Sequence, residues 1–105
     1  MIESEKNIPI ASILIPVFNE ENYISDCLNS IVKNDKSKYN FEIIIIDGGS
    51  TDKTLEIIKE YTLLYPYIKY LKNHKKYIPD ALNLGIKKSK SKYIIRLDAH
   101  AHYSI

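Results

Sequence analysis

Several residue types that mark specialised classes of protein are scarce or absent. A single cysteine, Cys27, excludes an internal disulfide, and no apolar run reaches the roughly 18 residues that would span a membrane. The first residues lack the basic, apolar and small-residue order of a signal peptide. We therefore expect a buried, structural cysteine and a reducing, cytoplasmic location, with the inner face of the membrane as the alternative for a longer protein.

Glycine is also scarce, with three residues in 105. None lies in segment 16–20, where a dinucleotide-binding fold needs a glycine-rich turn to approach a pyrophosphate. No Gly-Lys-Ser or Gly-Lys-Thr occurs, which excludes a P-loop. A dinucleotide-dependent oxidoreductase is thus disfavoured. The net charge of +2 is too small to indicate nucleic acid as a partner.

The chain does contain apolar strands that alternate with amphipathic helices. The runs Ile43–Ile46 and Tyr93–Leu97 are typical of strands buried on both faces of a parallel sheet. Other patterns predict strands Ile10–Ile15, ended by Pro16, and Tyr67–Leu71, with helices that begin at Asn19, at Ser50 or Thr51, and at Pro79 with Asp80. The order β-α-β-α-β-α-β over residues 1–105 predicts one Rossmann-like α/β domain, with a mainly parallel sheet between two helical layers.

Two predicted strands end in carboxylates. Asp47 follows the second strand and Asp98 follows the fourth. Ligands of parallel α/β sheets bind beyond the carboxyl ends of the strands. Because an unpaired carboxylate is costly to bury, we expect both side chains to face one crevice, where a cation or hydrogen-bond donors meet them.

The segment Pro16-Val17-Phe18-Asn19-Glu20 is predicted to lie at the same edge. Phe18 offers a ring that can pack on a base, and Glu20 offers a carboxylate that can hold ribose hydroxyls. The alternative for Phe18 is a position in the core. For Asn19 and Glu20 the alternative is capping and charge compensation of the next helix, which is favoured for those two residues taken alone.

Asp47 begins the turn Asp47-Gly48-Gly49-Ser50. A carboxylate at a buried strand end can accept the ring N–H of uracil or guanine, and the two glycines keep the turn open for a flat base. The alternative is an Asx turn, in which the Asp47 side chain closes the loop between strand and helix.

Asp98-Ala99-His100 is the third motif. Residues two apart on an extended segment point to the same side, so Asp98 and His100 are candidate ligands of one divalent cation that would neutralise a diphosphate. An imidazole favours Mn²⁺ over Mg²⁺. His102 continues the alternation and is a further candidate ligand. The alternative is that His100 and His102 are surface histidines, which is favoured for His102. Lys76 lies in a basic loop that could steer a diphosphate toward the crevice. The favoured alternative is a loop that is simply solvated. Asn83 faces either the ligand or solvent.

Four motifs in register resemble those of the family 2 glycosyltransferases of the GT-A fold, over about Ile10 to His102. They are Pro16-Val17-Phe18-Asn19-Glu20, Asp47-Gly48-Gly49-Ser50-Thr51-Asp52, Ala81-Leu82-Asn83-Leu84-Gly85 and Leu97-Asp98-Ala99-His100. The resemblance implies an inverting enzyme that moves a sugar from a UDP- or GDP-type donor to a hydroxyl of a sugar or lipid-linked acceptor. The Asp-Ala-His-Ala form resembles bacterial members that build exopolysaccharide.

The resemblance also implies roles for single residues. The implied donor-binding residues are Pro16, Phe18, Asn19, Glu20, Asp47, Gly49, Lys76, Asn83 and Asp98, and the implied ligands of Mn²⁺ or Mg²⁺ are Asp98 and His100. Two positions depart from the family pattern: Leu82 replaces an arginine, for which Lys76 is a candidate substitute, and His100 replaces the second aspartate of Asp-x-Asp.

In the family, the general base and the acceptor site lie beyond the Asp-x-Asp motif, and the resemblance therefore implies a general base beyond Ile105. We expect these residues to be the N-terminal, donor-binding part of a longer enzyme, which binds a nucleotide sugar without turnover. Apolar surface left uncovered would favour self-association. The alternative is a non-catalytic nucleotide-binding or assembly module of the same fold, which the departures at Leu82 and His100 keep open.

Overall fold

The computed structural model describes residues 9–33, 40–73 and 78–100. They form, in the predicted order, β1 (Ala11–Val17), α1 (Ile24–Val32), β2 (Phe41–Asp47), α2 (Thr54–Leu64), β3 (Ile68–Lys72), α3 (Ile78–Lys88) and β4 (Tyr93–Arg96). Neighbouring strands are all parallel, in the spatial order β3-β2-β1-β4. Across these ranges no helix has the length and apolar character to cross a membrane.

The four consecutive isoleucines of β2 explain the layered core. Successive side chains of a strand point to opposite faces. Ile43 and Ile45 therefore pack in one cluster with α1 and α2, whereas Ile44 and Ile46 pack in a second cluster with Ala81 of α3. Each contributes about 1.5–3 kcal/mol of burial free energy. The Rossmann-like arrangement of a parallel sheet between helical layers is confirmed.

The fourth strand corrects one expectation. Within the described sheet β4 is an edge strand that pairs with β1. Tyr93, Ile94 and Ile95 are 56%, 41% and 44% exposed. The prediction of burial on both faces is therefore wrong for β4, because apolar composition alone does not separate a central strand from an edge strand.

Pro16 does not end β1, as expected from the sequence, but lies within it. The carbonyl oxygens of Ile10 and Leu14 accept hydrogen bonds from the N–H groups of Tyr93 and Leu97, both at 3.0 Å. Even-numbered residues of β1 thus turn their backbone polar groups toward β4. Pro16 faces the same way, beyond the last β1–β4 pair at Leu14, so its missing N–H removes no bond from the described ladder.

The predicted starts of α1 and α2 are also wrong. The residues that precede these helices are Tyr23 and Lys53, and neither makes a side-chain capping bond. Asn19, Ser50 and Thr51 lie earlier, in the loops. Asn19 bonds to Ser50 and Thr51 of the other loop, and Ser50 also bonds to Asp47. The third helix begins at Ile78, within a residue or two of the predicted start.

A buried polar network lies near the amino ends of the strands. The Ser12 hydroxyl donates to Oε2 of Glu42 at 2.5 Å and also contacts the hydroxyls of Ser89 and Ser91, which connect α3 to β4. Lys69 forms an ion pair with Oε1 of Glu42 at 3.0 Å. Burial raises the pKa of Glu42, but the hydrogen bonds from Ser12 and Lys69 outweigh it, so the net pKa lies below its ordinary value.

Replacement of Gly85 tests how closely α3 packs on the sheet. A Cβ at this position would lie 3.0 Å from Cδ1 and Cδ2 of Leu14 and 3.3 Å from Cδ1 of Ile46. We expect Gly85→Ala to lower the free energy of unfolding by about 1 kcal/mol, although alanine is the better helix former, because overpacking costs more. Urea unfolding measures the change, with the exposed Lys87→Ala as control. A more stable Gly85→Ala protein would contradict the packing.

Replacement of Glu42 tests the buried network through pH. The folded-state pKa of Glu42 lies below the ordinary 4.5. Its stabilisation is therefore complete well above that value and is lost as pH falls through the folded-state pKa. At pH 7 we expect Glu42→Gln to cost roughly 1–2 kcal/mol, most of it from the Ser12 bond, because Lys69 is largely exposed.

Thermal unfolding of both proteins between pH 7 and pH 3 measures this difference. The gap between them should narrow as the solution becomes acidic. A gap that stays constant over the whole range would show that the charge of Glu42 contributes nothing.

Candidate functional site

The parallel sheet brings the ends of β1, β2 and β4 to one edge. Val17 and Asp47 are paired as the last residues of β1 and β2. Asp98 follows β4, two residues after Arg96, which pairs with Leu14. Two loops leave this edge: loop 1, residues 18–23, and loop 2, residues 48–53. The candidate site is built on this edge.

His100 bridges two carboxylates at the edge. Its Nε2 lies 3.1 Å from Oε1 of Glu20, and its Nδ1 lies 3.3 Å from Oδ1 of Asp98. The His100 backbone N–H also donates to Oδ1 of Asp98 at 2.9 Å. The Tyr23 ring packs beside the imidazole, with 4.7 Å between centroids. Residues from loop 1 and from the end of β4 therefore form one cluster.

The two carboxylates of this cluster have opposite pKa shifts. Burial raises the pKa of Glu20, and the nearby His100 only partly offsets the effect. Hydrogen bonding from the backbone N–H of His100 is the main cause that lowers the pKa of Asp98. Asp98 is the more exposed group and stays ionised to lower pH, so it is the stronger candidate for contact with a charged ligand.

The cluster has the donor types of a cation site but not the arrangement. Two carboxylates and one imidazole suit Mn²⁺. Each imidazole nitrogen, however, faces a carboxylate oxygen, so neither is turned toward a shared position for an ion. Within residues 9–33, 40–73 and 78–100, no group of three His, Cys, Asp or Glu side chains is placed to hold a metal. Metal binding by Asp98 and His100 stays a prediction.

Asp47 forms the Asx turn that the sequence offered as the alternative to base binding. Its carboxylate is 1% exposed. Oδ2 accepts the N–H groups of Gly49 at 3.0 Å and Ser50 at 3.1 Å, and Oδ1 accepts the Ser50 hydroxyl at 2.5 Å. Gly49 has φ of 95°, a conformation that favours glycine. Asp47 thus shapes loop 2, and its contact with a base stays a prediction.

Loops 1 and 2 are joined by hydrogen bonds in both directions. Oδ1 of Asn19 accepts the Thr51 N–H at 2.7 Å, and the Asn19 N–H donates to the Ser50 hydroxyl at 2.9 Å. The Lys53 N–H donates to Oε1 of Glu21 at 3.0 Å. Asn19 and Glu21 are therefore bound to the neighbouring loop in this structure.

The other predicted donor-binding residues are placed as follows. Phe18 is 47% exposed, which excludes the alternative of a core position. Pro16 is half-buried within β1, one residue before its end, and Asn83 is exposed on α3. Lys76 lies outside the described residues, and so does His102, the further candidate ligand of the cation.

The general base implied beyond Ile105 also falls outside the described part of the chain. The last described residue is His100, and Ile105 itself is not among the described residues. A base beyond Ile105 therefore stays a prediction.

Cys27 lies under the end of β4. Its side chain is fully buried, and its thiol contacts the carbonyl oxygen of Asp98 at 3.7 Å. Burial, with smaller contributions from the charges of Asp98 and Glu20, raises the pKa of the thiol to about 11. The thiol is therefore protonated at neutral pH, and the predicted structural role of Cys27 agrees with its burial.

Sequence reasoning missed two contributors to this edge. Tyr23 packs against His100, and Thr54 accepts the Glu20 N–H at 2.7 Å. The available signal for Tyr23 is its position three residues after Glu20, which a turn before the helix brings to the same side. Thr54 has no local signal, because its partner is 34 residues away.

A cavity of about 450 Å³ lies away from this edge. It is lined by residues of α1, by the residue that follows this helix and by the segment before β3: Asp26, Asn29, Ser30, Val32, Lys33 and Tyr65. None of the residues implied in donor binding lines it. We therefore place the candidate site at the carboxyl edge, on the position of the polar cluster rather than on cavity volume.

The chain is similar to solved structures of glycosyltransferases of the GT-A fold. The crystal structure of TarS residues 1–349 from Staphylococcus aureus matches with a TM-score of 0.80 and 27% identity, over 90% of this chain and 28% of that one. TarS has also been solved in complex with UDP-GlcNAc. GalNAc-T7, solved with UDP, GalNAc and Mn²⁺, matches with a TM-score of 0.79 and 26% identity, over 95% of this chain and 20% of that one.

Residues 12–104 match the family described as Glycosyl transferase family 2, and the chain belongs to this family. A dolichyl N-acetyl-alpha-D-glucosaminyl phosphate 3-beta-D-2,3-diacetamido-2,3-dideoxy-beta-D-glucuronosyltransferase of Methanococcus voltae is 45% identical over 93 residues, which is 87% of this chain and 29% of that protein. The poly(ribitol-phosphate) beta-N-acetylglucosaminyltransferase TarS is 30% identical over 84% of this chain and 16% of its own length. The chain thus spans less than a third of these relatives.

Proposed function

We propose that the chain is the donor-binding part of an inverting glycosyltransferase. Its donor would be a UDP- or GDP-sugar, and its acceptor a hydroxyl of a growing cell-surface polysaccharide or of a lipid-linked sugar. The observation that carries the proposal is the Glu20–His100–Asp98 cluster at the carboxyl edge of a parallel sheet. Family membership supports the reaction class. The chain matches only a small share of each relative's length, which supports the view that it is one part of a longer enzyme.

The positions of the side chains suggest how a nucleotide would lie. The exposed ring of Phe18 offers a stacking surface for the base. Glu20 and Asp98 offer acceptors for ribose hydroxyls, and His100 lies between them. A diphosphate that enters beside His100 would meet an imidazole rather than two adjacent carboxylates, which lowers electrostatic repulsion.

A divalent cation is part of the proposal because the cluster contains two carboxylates and one imidazole, which are ligand types that suit such an ion. Mn²⁺ or Mg²⁺ at Asp98 would neutralise the leaving diphosphate. His100 would then have to exchange its carboxylate contact for a contact with the ion. The general base and the acceptor site are proposed to lie beyond Ile105, so that this part alone binds a donor without transferring its sugar.

Calorimetry with UDP and GDP tests the donor site. We expect one nucleotide to bind, with higher affinity in Mn²⁺ than in EDTA. Asp98→Ala should lower that affinity about tenfold or more, because a charged hydrogen-bonding group is lost. Glu60→Ala, an exposed carboxylate on α2, is the matched control and should bind like the wild type.

Two outcomes would contradict this proposal. Failure of both nucleotides to bind would remove the donor site. Binding that is indifferent to the cation and to Asp98→Ala would favour the non-catalytic nucleotide-binding module instead.

A further inference from the structure

Asn19 has an unusual backbone conformation. Its φ of 51° is the only positive φ of a non-glycine residue in the described ranges. Asparagine adopts this left-handed region more readily than most residues, but the conformation persists only where surrounding contacts hold it. The contacts around Asn19 therefore indicate what the conformation serves.

These contacts all lead to loop 2. Oδ1 of Asn19 accepts the Thr51 N–H at 2.7 Å and approaches the Asp52 N–H at 3.4 Å. The Asn19 N–H donates to the Ser50 hydroxyl at 2.9 Å. The left-handed turn lets one residue present its own N–H and its side-chain oxygen to the same loop.

The turn at Asn19 contacts two parts of the candidate site, loop 2 and the cluster of Glu20, Asp98 and His100. On one side, the Ser50 hydroxyl that accepts from Asn19 also donates to Asp47, which shapes loop 2. On the other side, the next residue, Glu20, is held by the Thr54 hydroxyl at 2.7 Å, and its carboxylate contacts His100 at 3.1 Å. A continuous series of contacts thus runs from the end of β2 to the end of β4 through Asn19.

We propose that Asn19 is a positioning residue, which locks loop 2 against loop 1 and so forms the donor-binding edge before a nucleotide arrives. It acts through Glu20 and the loop 2 backbone and does not itself touch the donor. This inference rests on the proposed function, and it replaces the direct contact with the donor that the family resemblance implied for Asn19.

Three substitutions at position 19 separate backbone from side chain. Asn19→Asp keeps a short oxygen acceptor and tolerates the left-handed region. Asn19→Gly keeps the backbone conformation but loses the acceptor, and Asn19→Ala loses both. Circular dichroism confirms that each variant is folded. Calorimetry with UDP or GDP then measures affinity, at about 0.5 M salt to screen the charge of the aspartate.

We expect Asn19→Asp to bind the nucleotide like the wild type. Asn19→Gly should bind about five- to tenfold more weakly, because one or two hydrogen bonds are lost. Asn19→Ala should bind more weakly still, because it also loses the left-handed turn. Hydrogen exchange without nucleotide is the second measurement. The amides of Thr51 and Asp52 should exchange faster in Asn19→Gly by a similar factor and stay protected in Asn19→Asp.

The two measurements distinguish the possible failures. Weaker binding of Asn19→Gly with unchanged exchange at Thr51 and Asp52 would mean a direct contact with the nucleotide and would overturn the inference. Faster exchange with unchanged affinity, or an Asn19→Asp protein as impaired as Asn19→Gly, would overturn it too. If the wild type binds neither nucleotide, the proposed function fails and the positioning role falls with it, whatever the exchange rates show.

Discussion

The parallel pairing of β1 with both β2 and β4 is the constraint on which the rest of the structure depends. Parallel strands send their carboxyl ends to a single edge, so residues far apart in sequence arrive together there. The buried isoleucines of β2 fix this arrangement, because a shift of one residue would turn each to the wrong helical layer. Loops 1 and 2 and the turn at Asp98 lie close together because of that geometry.

The carboxylates at the two ends of the sheet differ in their burial and in their partners. At the amino ends, Glu42 is buried, and Ser12 and Lys69 satisfy it. At the carboxyl ends, Glu20 and Asp98 share one imidazole, and the side chains of Asp98 and His100 are 68% and 57% exposed. Satisfied internal groups stabilise a fold, whereas exposed polar groups gathered at a strand edge are available to a ligand. This contrast is the reason for proposing a binding role at the carboxyl ends and a structural role at the amino ends.

The sequence predicted the order of elements because periodicity reports which faces are buried. It misjudged β4, since Ile94 and Ile95 are as apolar as residues of a central strand. It also misassigned Asn19, Ser50 and Thr51 as helix caps. Local preference places such residues before a helix, but Asn19 bonds to Ser50 and Thr51, which are 31 and 32 residues away, and these pairings leave no local signal. The motif residues at strand ends were predictable, whereas the contacts between loops were not.

The central claim is that the carboxyl edge, and no other surface, receives a nucleotide. An NMR titration of the ¹⁵N-labelled chain with UDP or GDP tests it most directly. The account predicts that amide shifts change in loop 1, in loop 2 and around Asp98 to His100, while the amides around Glu42 and Ser89 stay unchanged. Changes confined to the opposite end of the sheet, or to the cavity beside Tyr65, would contradict it.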